Sequence, residues 1–95
     1  MIDLKEEFEK HNDEFLEFKN IDNKLHKRPD ICAFLFLDNL LPDEKDMIVG
    51  SNHDEIYLNT DCDKLSEVAT SDDILYLTRC GVRYSKYQNI LSMFV

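Results

Sequence analysis

Apolar positions in the first 28 residues recur at helical spacing. Leu4, Phe8, His11, Phe15, Phe18 and Leu25 form one stripe, widened by Leu16 and Ile21, with Glu and Lys opposite. The spacing predicts an amphipathic helix of about four to six turns. KNIDNKLHKRP (19–29) either continues it or breaks it near Asn20 to Asn23, and Pro29 stops it. Asp30 is placed to cap the next helix. DICAFLFLDNLL (30–41) is apolar almost all round yet too short for a bilayer, so it reads as the central buried helix, ended by Pro42.

The period then changes. PDEKD (42–46) is a charged loop, and MIVG and EIYLN flank SNHD (51–54), which has the composition of a turn. Together they predict a hairpin. TDCDKLSEVA (60–69) predicts a short helix capped by Thr60 or Asp61, and TSDD (70–73) is a capping box with Thr70 at the cap and Asp73 three residues on. The helix it opens, DILYLTRC, ends at Gly81, which can adopt left-handed C-cap geometry. VRY and NILSMFV then form a second hairpin around SKYQ (85–88).

The order α-α-β-β-α-α-β-β predicts a single α+β domain over residues 1–95. A small antiparallel sheet of about four strands, from two hairpins, packs against two N-terminal helices, with two short helices between the hairpins. Expected core positions are Phe15, Phe18, Ile31, Phe34, Leu35, Leu37, Leu41, Ile48, Ile56, Leu58, Leu65, Leu75, Leu77, Val82, Leu91 and Phe94.

Charge changes the picture more than any motif. Residues 1–37 hold nine acids and six bases, and residues 74–95 hold Arg79, Arg83 and Lys86 with no acid. Residues 38–73 hold eleven acids against Lys45 and Lys64, a net of −9 that equals the net charge of the whole chain. Such a surface repels phosphate backbones and anionic lipid, which argues against direct nucleic-acid or membrane binding. It suits a protein partner with a basic surface, or a groove that normally holds nucleic acid. It also serves solubility alone. The chain opens without a charged-then-apolar leader, contains no span near the roughly 20 apolar residues a bilayer needs, and its three Cys have no metal-ligand spacing, so a cytoplasmic protein is expected.

NHDEIYLNTDCD (52–63) gathers the residues that could carry chemistry. Strand alternation puts Ile56 and Leu58 on one face and Glu55, Tyr57 and Asn59 on the other, so Asp54 and Glu55 diverge. A metal site needs converging ligands. Asp61 and Asp63 begin a calcium-loop pattern, but Ser66 stands where the Gly is required and the closing Glu is absent. Negative charge in the first turn of a helix explains both better. Cys62, beside two Asp residues, makes a poor nucleophile. Cys32 reads as core, and Cys80 lies at the negative end of a helix dipole. There is no glycine-rich phosphate loop. His11 and His26 stand alone, and Arg79 and Arg83 pair with nearby acids. No catalytic residue, metal or cofactor is assigned.

The leading expectation is therefore a non-enzymatic, acidic, protein-binding module. Its candidate surface is Asp43, Glu44, Asp46, Asp54, Glu55, Tyr57, Asp61 and Asp63, with Tyr favoured at interface hot spots. One alternative is a small metal-dependent enzyme using His53, Asp54, Glu55, Asp61 and Asp63. Another is a homodimer formed through the N-terminal stripe, whose Phe8, Phe15 and Phe18 exceed what one monomer need bury.

From NDEFLEFKNIDNKLHKRPDICAFLFLD through HDEIYLNTDCDKL to DDILYLTRCGVRYSKYQNILSMFV, the chain resembles a family of small uncharacterised proteins of tailed phages and prophages. RCGVRY and the closing SMFV are the most specific part. The resemblance covers nearly the whole chain. It implies a small accessory phage protein in the bacterial cytoplasm, with no known activity or catalytic residue. By analogy, it implies a stoichiometric binder or inhibitor of host or defence machinery.

Overall fold

The computed structural model describes residues 1–94. Four strands, β1 (Ile48–Asn52), β2 (Glu55–Leu58), β3 (Val82–Ser85) and β4 (Ile90–Phe94), form one antiparallel sheet in the order β1-β2-β4-β3. The α+β class holds. Each hairpin supplies one central and one edge strand, and β2 joins β4 in the register Ile56↔Met93 and Leu58↔Leu91. The first hairpin closes in two residues, His53 and Asp54, with His53 at φ 27°. The second turns through Lys86 to Asn89, where Asn89 takes φ 51°.

Four helices accompany the sheet: α1 (Leu4–Lys10), α2 (Pro29–Leu40), α3 (Cys62–Val68) and α4 (Ser71–Arg79). α4 begins at the expected capping box, with Thr70 and Asp73 bonding reciprocally, and ends before Gly81 at φ 96°. A side chain at Gly81 would place its Cβ 2.7 Å from Leu16 Cδ2, so backbone conformation and space both demand glycine. Asp61, not Thr60, caps α3 and accepts hydrogen bonds from the amides of Asp63 and Lys64.

The N-terminal region departs most from expectation. Instead of one helix of four to six turns, α1 ends at Lys10, and only short 3₁₀ turns at Asn12–Glu14 and Phe18–Asn20 come after it. Asn12 and Asp13 are weak helix formers, but the decisive competition is tertiary. The segment docks on α4. His11 Nε2 lies 3.0 Å from Ser71 Oγ, Arg79 Nε donates to Glu14 at 2.8 Å, and the Leu16 amide donates to the Thr78 carbonyl at 3.2 Å. Leu16 adopts φ 65° to do so. Further on, Tyr76 Oη donates to the Asn23 carbonyl and accepts from the Leu25 amide. Pro29 also reverses its expected role. It stops no helix but opens α2 as the first helical residue, where its missing N–H costs nothing.

The core comprises Leu4, Ile21, Cys32, Ala33, Leu37, Leu58, Cys62, Leu65, Ala69, Ile74, Leu77, Cys80, Val82, Leu91 and Met93. Among expected core positions, Phe18, Phe34, Leu41 and Ile56 are partly buried against it. Three predicted core residues are exposed. Leu35 is 41% accessible because α2 is not buried all round: Cys32, Ala33 and Leu37 face inward. Ile48 is 44% accessible because β1 is an edge strand whose register slips between Ile48 and Gly50. Phe94 is 52% accessible because alternation that points Leu91 and Met93 inward points Phe94 to the other face. There it lies under the Arg83 guanidinium, 4.1 Å from the ring centroid.

Candidate functional site

The loop between α2 and β1 carries Asp43, Glu44 and Asp46, all exposed. Asp43 Oδ1 accepts from the Lys45 amide at 3.1 Å, and the Asp46 carbonyl accepts from Asn59 Nδ2 at 3.0 Å, so side chains fix this loop locally. The Asn59 amide also donates to the Met47 carbonyl at 2.7 Å, holding the loop against the end of β2. As a result Asp43, Asp46 and Asp61, separated by up to 18 positions in the chain, line one cleft of about 330 Å³. Leu37, Leu41 and Met47 contribute apolar wall, and Lys45 and Lys64 are the basic residues at its rim.

The other candidate residues lie elsewhere. Asp54 is at the tip of the first hairpin. Glu55 faces the outer side of the sheet, where Arg83 donates to it, so its charge is compensated. Tyr57 shares that outer face, opposite Ser92. Asp63 accepts from Asn89 Nδ2 at 3.2 Å, near the second hairpin turn. Glu44 is exposed but lies outside the cleft lining. The acidic middle of the chain therefore divides: three aspartates gather, and five candidates disperse.

Among the described residues no three His, Cys, Asp or Glu side chains group so as to hold a metal ion. His53, Asp54, Glu55, Asp61 and Asp63, the alternative metal set, are split between a hairpin tip, the outer sheet face and the start of α3.

The cysteines are all free and buried. Burial foremost, then the charges of Asp61 and Asp63, push the Cys62 thiol up from 9.0 to about 11. The Cys80 thiol is likewise raised, by burial and then by the adjacent Cys32, rather than chiefly by the helix end. Tyr76, whose Oη lies 2.9 Å from Cys32 Sγ, is pushed from 10.0 to about 12 by burial and that contact. Raised acids of this kind are poor nucleophiles at neutral pH.

All three arginines find acids, Arg28 with Asp30, Arg79 with Glu14 and Arg83 with Glu55. The Arg79 bond, helped by one from Asn20, holds the Glu14 carboxyl below its usual value.

A groove between α1 and β3, about 670 Å³, is a feature that sequence reading missed. Its walls come from residues more than 70 positions apart, and no local pattern couples them. No family model, curated protein or solved structure matches the chain. No helix among the described residues is long and apolar enough to cross a membrane.

Proposed function

We propose that the chain is a non-enzymatic, acidic module that binds a basic surface on another protein. A small accessory phage protein acting on a host or defence protein is the setting this reading fits. The observation that carries it is the cleft of Asp43, Asp46 and Asp61 over Leu37, Leu41 and Met47. Lysine and arginine side chains have an apolar stem and a charged head, and a cleft with an apolar wall and three carboxylates against two lysines, a net of −1, meets both parts. The surrounding net charge steers a cationic partner toward it.

The apolar stripe that a homodimer would use is largely occupied within the molecule. Phe8 and Phe18 pack against the core, and Phe15 is half-buried.

Titration of the isotopically labelled protein with a hexa-arginine peptide, monitored by NMR, tests the cleft. Shift changes centred on residues 43–47 and 59–64 are expected. Uniform small shifts over the whole acidic surface would instead mark the charge as serving solubility alone. An affinity capture from bacterial host lysate, repeated with Asp43→Asn/Asp46→Asn, then names the partner.

A further inference from the structure

We infer that the groove between α1 and β3 is a second binding site, which takes an acidic, extended peptide segment as an added strand beside β3. Among the described residues β3 is an edge strand paired only with β4. In an antiparallel pair, the N–H and C=O groups of alternate residues point away from the partner strand. Val82 is fully buried, but Arg83, Tyr84 and Ser85 are partly exposed, and among the described residues no loop backbone and no side chain bonds to their outward peptide groups. Exposed edges are a template for an incoming strand, and several peptide-binding folds use them in this way.

The groove supplies room and side-chain recognition. Its volume of about 670 Å³ lies within the roughly 300–1,000 Å³ of ordinary ligand sites. Phe8 of α1 stacks on Tyr84 of β3 with centroids 5.9 Å apart, and Phe15 extends the apolar wall, with Val82 fully buried beneath it. Tyr84 faces this wall, whereas Arg83 and Ser85 alternate to the other side of the strand and border the groove from there. A strand laid beside β3 therefore presents alternate residues to two environments. One set meets the aromatic wall, and the other meets Arg83.

Charge complementarity selects the occupant. Lys5, Arg83 and Lys86 line the groove with Glu9, and Arg83 is held by Glu55, which leaves a local net of +1 (three bases minus Glu9 and Glu55) on a chain of net −9. Lys5 and Glu9 are both well exposed at 3.5 Å, so their pairing is easily exchanged for an incoming carboxylate. Arg83 is bound to Glu55 through a terminal nitrogen, while its Nε is buried without a partner and remains a donor to be satisfied. Tyr87, fully exposed at the hairpin turn, stands at the same groove and offers an aromatic face to the peptide end. An alternating apolar and acidic segment meets all of these groups. This site is distinct from the aspartate cleft and of opposite charge.

The probe is a fluorescein-labelled synthetic peptide of seven residues alternating glutamate with valine, read by fluorescence anisotropy on the full chain. Saturable binding is expected, weakened at least about tenfold by Lys5→Glu/Lys86→Glu. Both lysines are exposed, so circular dichroism of that variant should match wild type. Methylating the backbone nitrogens of alternate peptide residues should abolish binding in one of the two possible phases and spare it in the other. No binding up to roughly 1 mM, or binding indifferent to both the lysine changes and methylation, overturns the site. A dimer seen by light scattering and lost in Lys5→Glu/Lys86→Glu would make the occupant a second copy, and would overturn the acidic-peptide assignment.

Discussion

The phenol oxygen of Tyr76 lies 2.9 Å from the sulfur of Cys32, joining α4 to α2 across 44 positions of sequence. The same ring stacks on Phe36 with centroids 4.0 Å apart, and its hydroxyl also bonds the backbone at Asn23 and Leu25. One side chain thus fastens α2 and the irregular N-terminal segment to α4.

Tyr76→Phe keeps the stack and loses the hydroxyl bonds. Because the Leu25 and Asn23 backbone groups can turn to water, the expected loss is about 1 kcal/mol by urea unfolding. Tyr76→Ala also removes the ring from between helices and should cost about 3 kcal/mol or more. Equal losses for the two variants would show that the hydroxyl, not the ring, is the fastening.

Gly81→Ala should destabilise by about 1–3 kcal/mol, since φ 96° is unfavourable for alanine and the new methyl meets Leu16 Cδ2. Leu16→Ala removes the clash but not the backbone strain. The double variant should therefore lose less than the sum of the single losses, a coupling measurable by a double-mutant cycle.

Alkaline pH should unfold the protein. The Cys62 and Cys80 thiols are raised above their ordinary values in the fold, so the unfolded chain ionises first. Stability is fully present below about pH 9 and falls as pH rises toward the folded value, about 11 for Cys62. Each thiol contributes a slope approaching about 1.4 kcal/mol per pH unit in that window. Urea midpoints at pH 7, 9 and 10.5 read this directly, and Cys62→Ser should flatten the decline above pH 9.

Neutralising Asp43, Glu44, Asp46 and Asp54 to their amides should leave the fold intact. All four are exposed, and each change should cost under about 0.5 kcal/mol. Binding of a cationic partner should weaken and lose its salt dependence. Equivalent changes at Glu6, Glu9 and Glu17 should do little. Glu55→Gln should be more harmful to stability than any of the four, because it leaves Arg83 without its carboxylate. Partner affinity unchanged by the fourfold variant at every salt concentration would refute the acidic-surface reading.

Local chemistry made much of the fold legible. Alternation at Ile56–Leu58, the Thr70–Asp73 box and Gly81 at the end of α4 each rest on interactions within a few residues, so the chain order carries them. The excess of acid between residues 38 and 73 is likewise a property of composition. Periodicity failed where distant partners competed with the local ladder. The stripe from Leu4 to Leu25 has helical spacing, yet the hydrogen bonds and ion pair offered by Ser71, Tyr76, Thr78 and Arg79 hold most of it in a non-helical path. Ile48 and Phe94 are as apolar as Leu58 and Leu91, and only an edge position with a register slip and an outward face leave them exposed. The same holds for function. Sequence supplied the acids, but gathering Asp43, Asp46 and Asp61, compensating Glu55 with Arg83, and opening a cationic groove beside β3 depend on how α1, α2 and two hairpins meet in space.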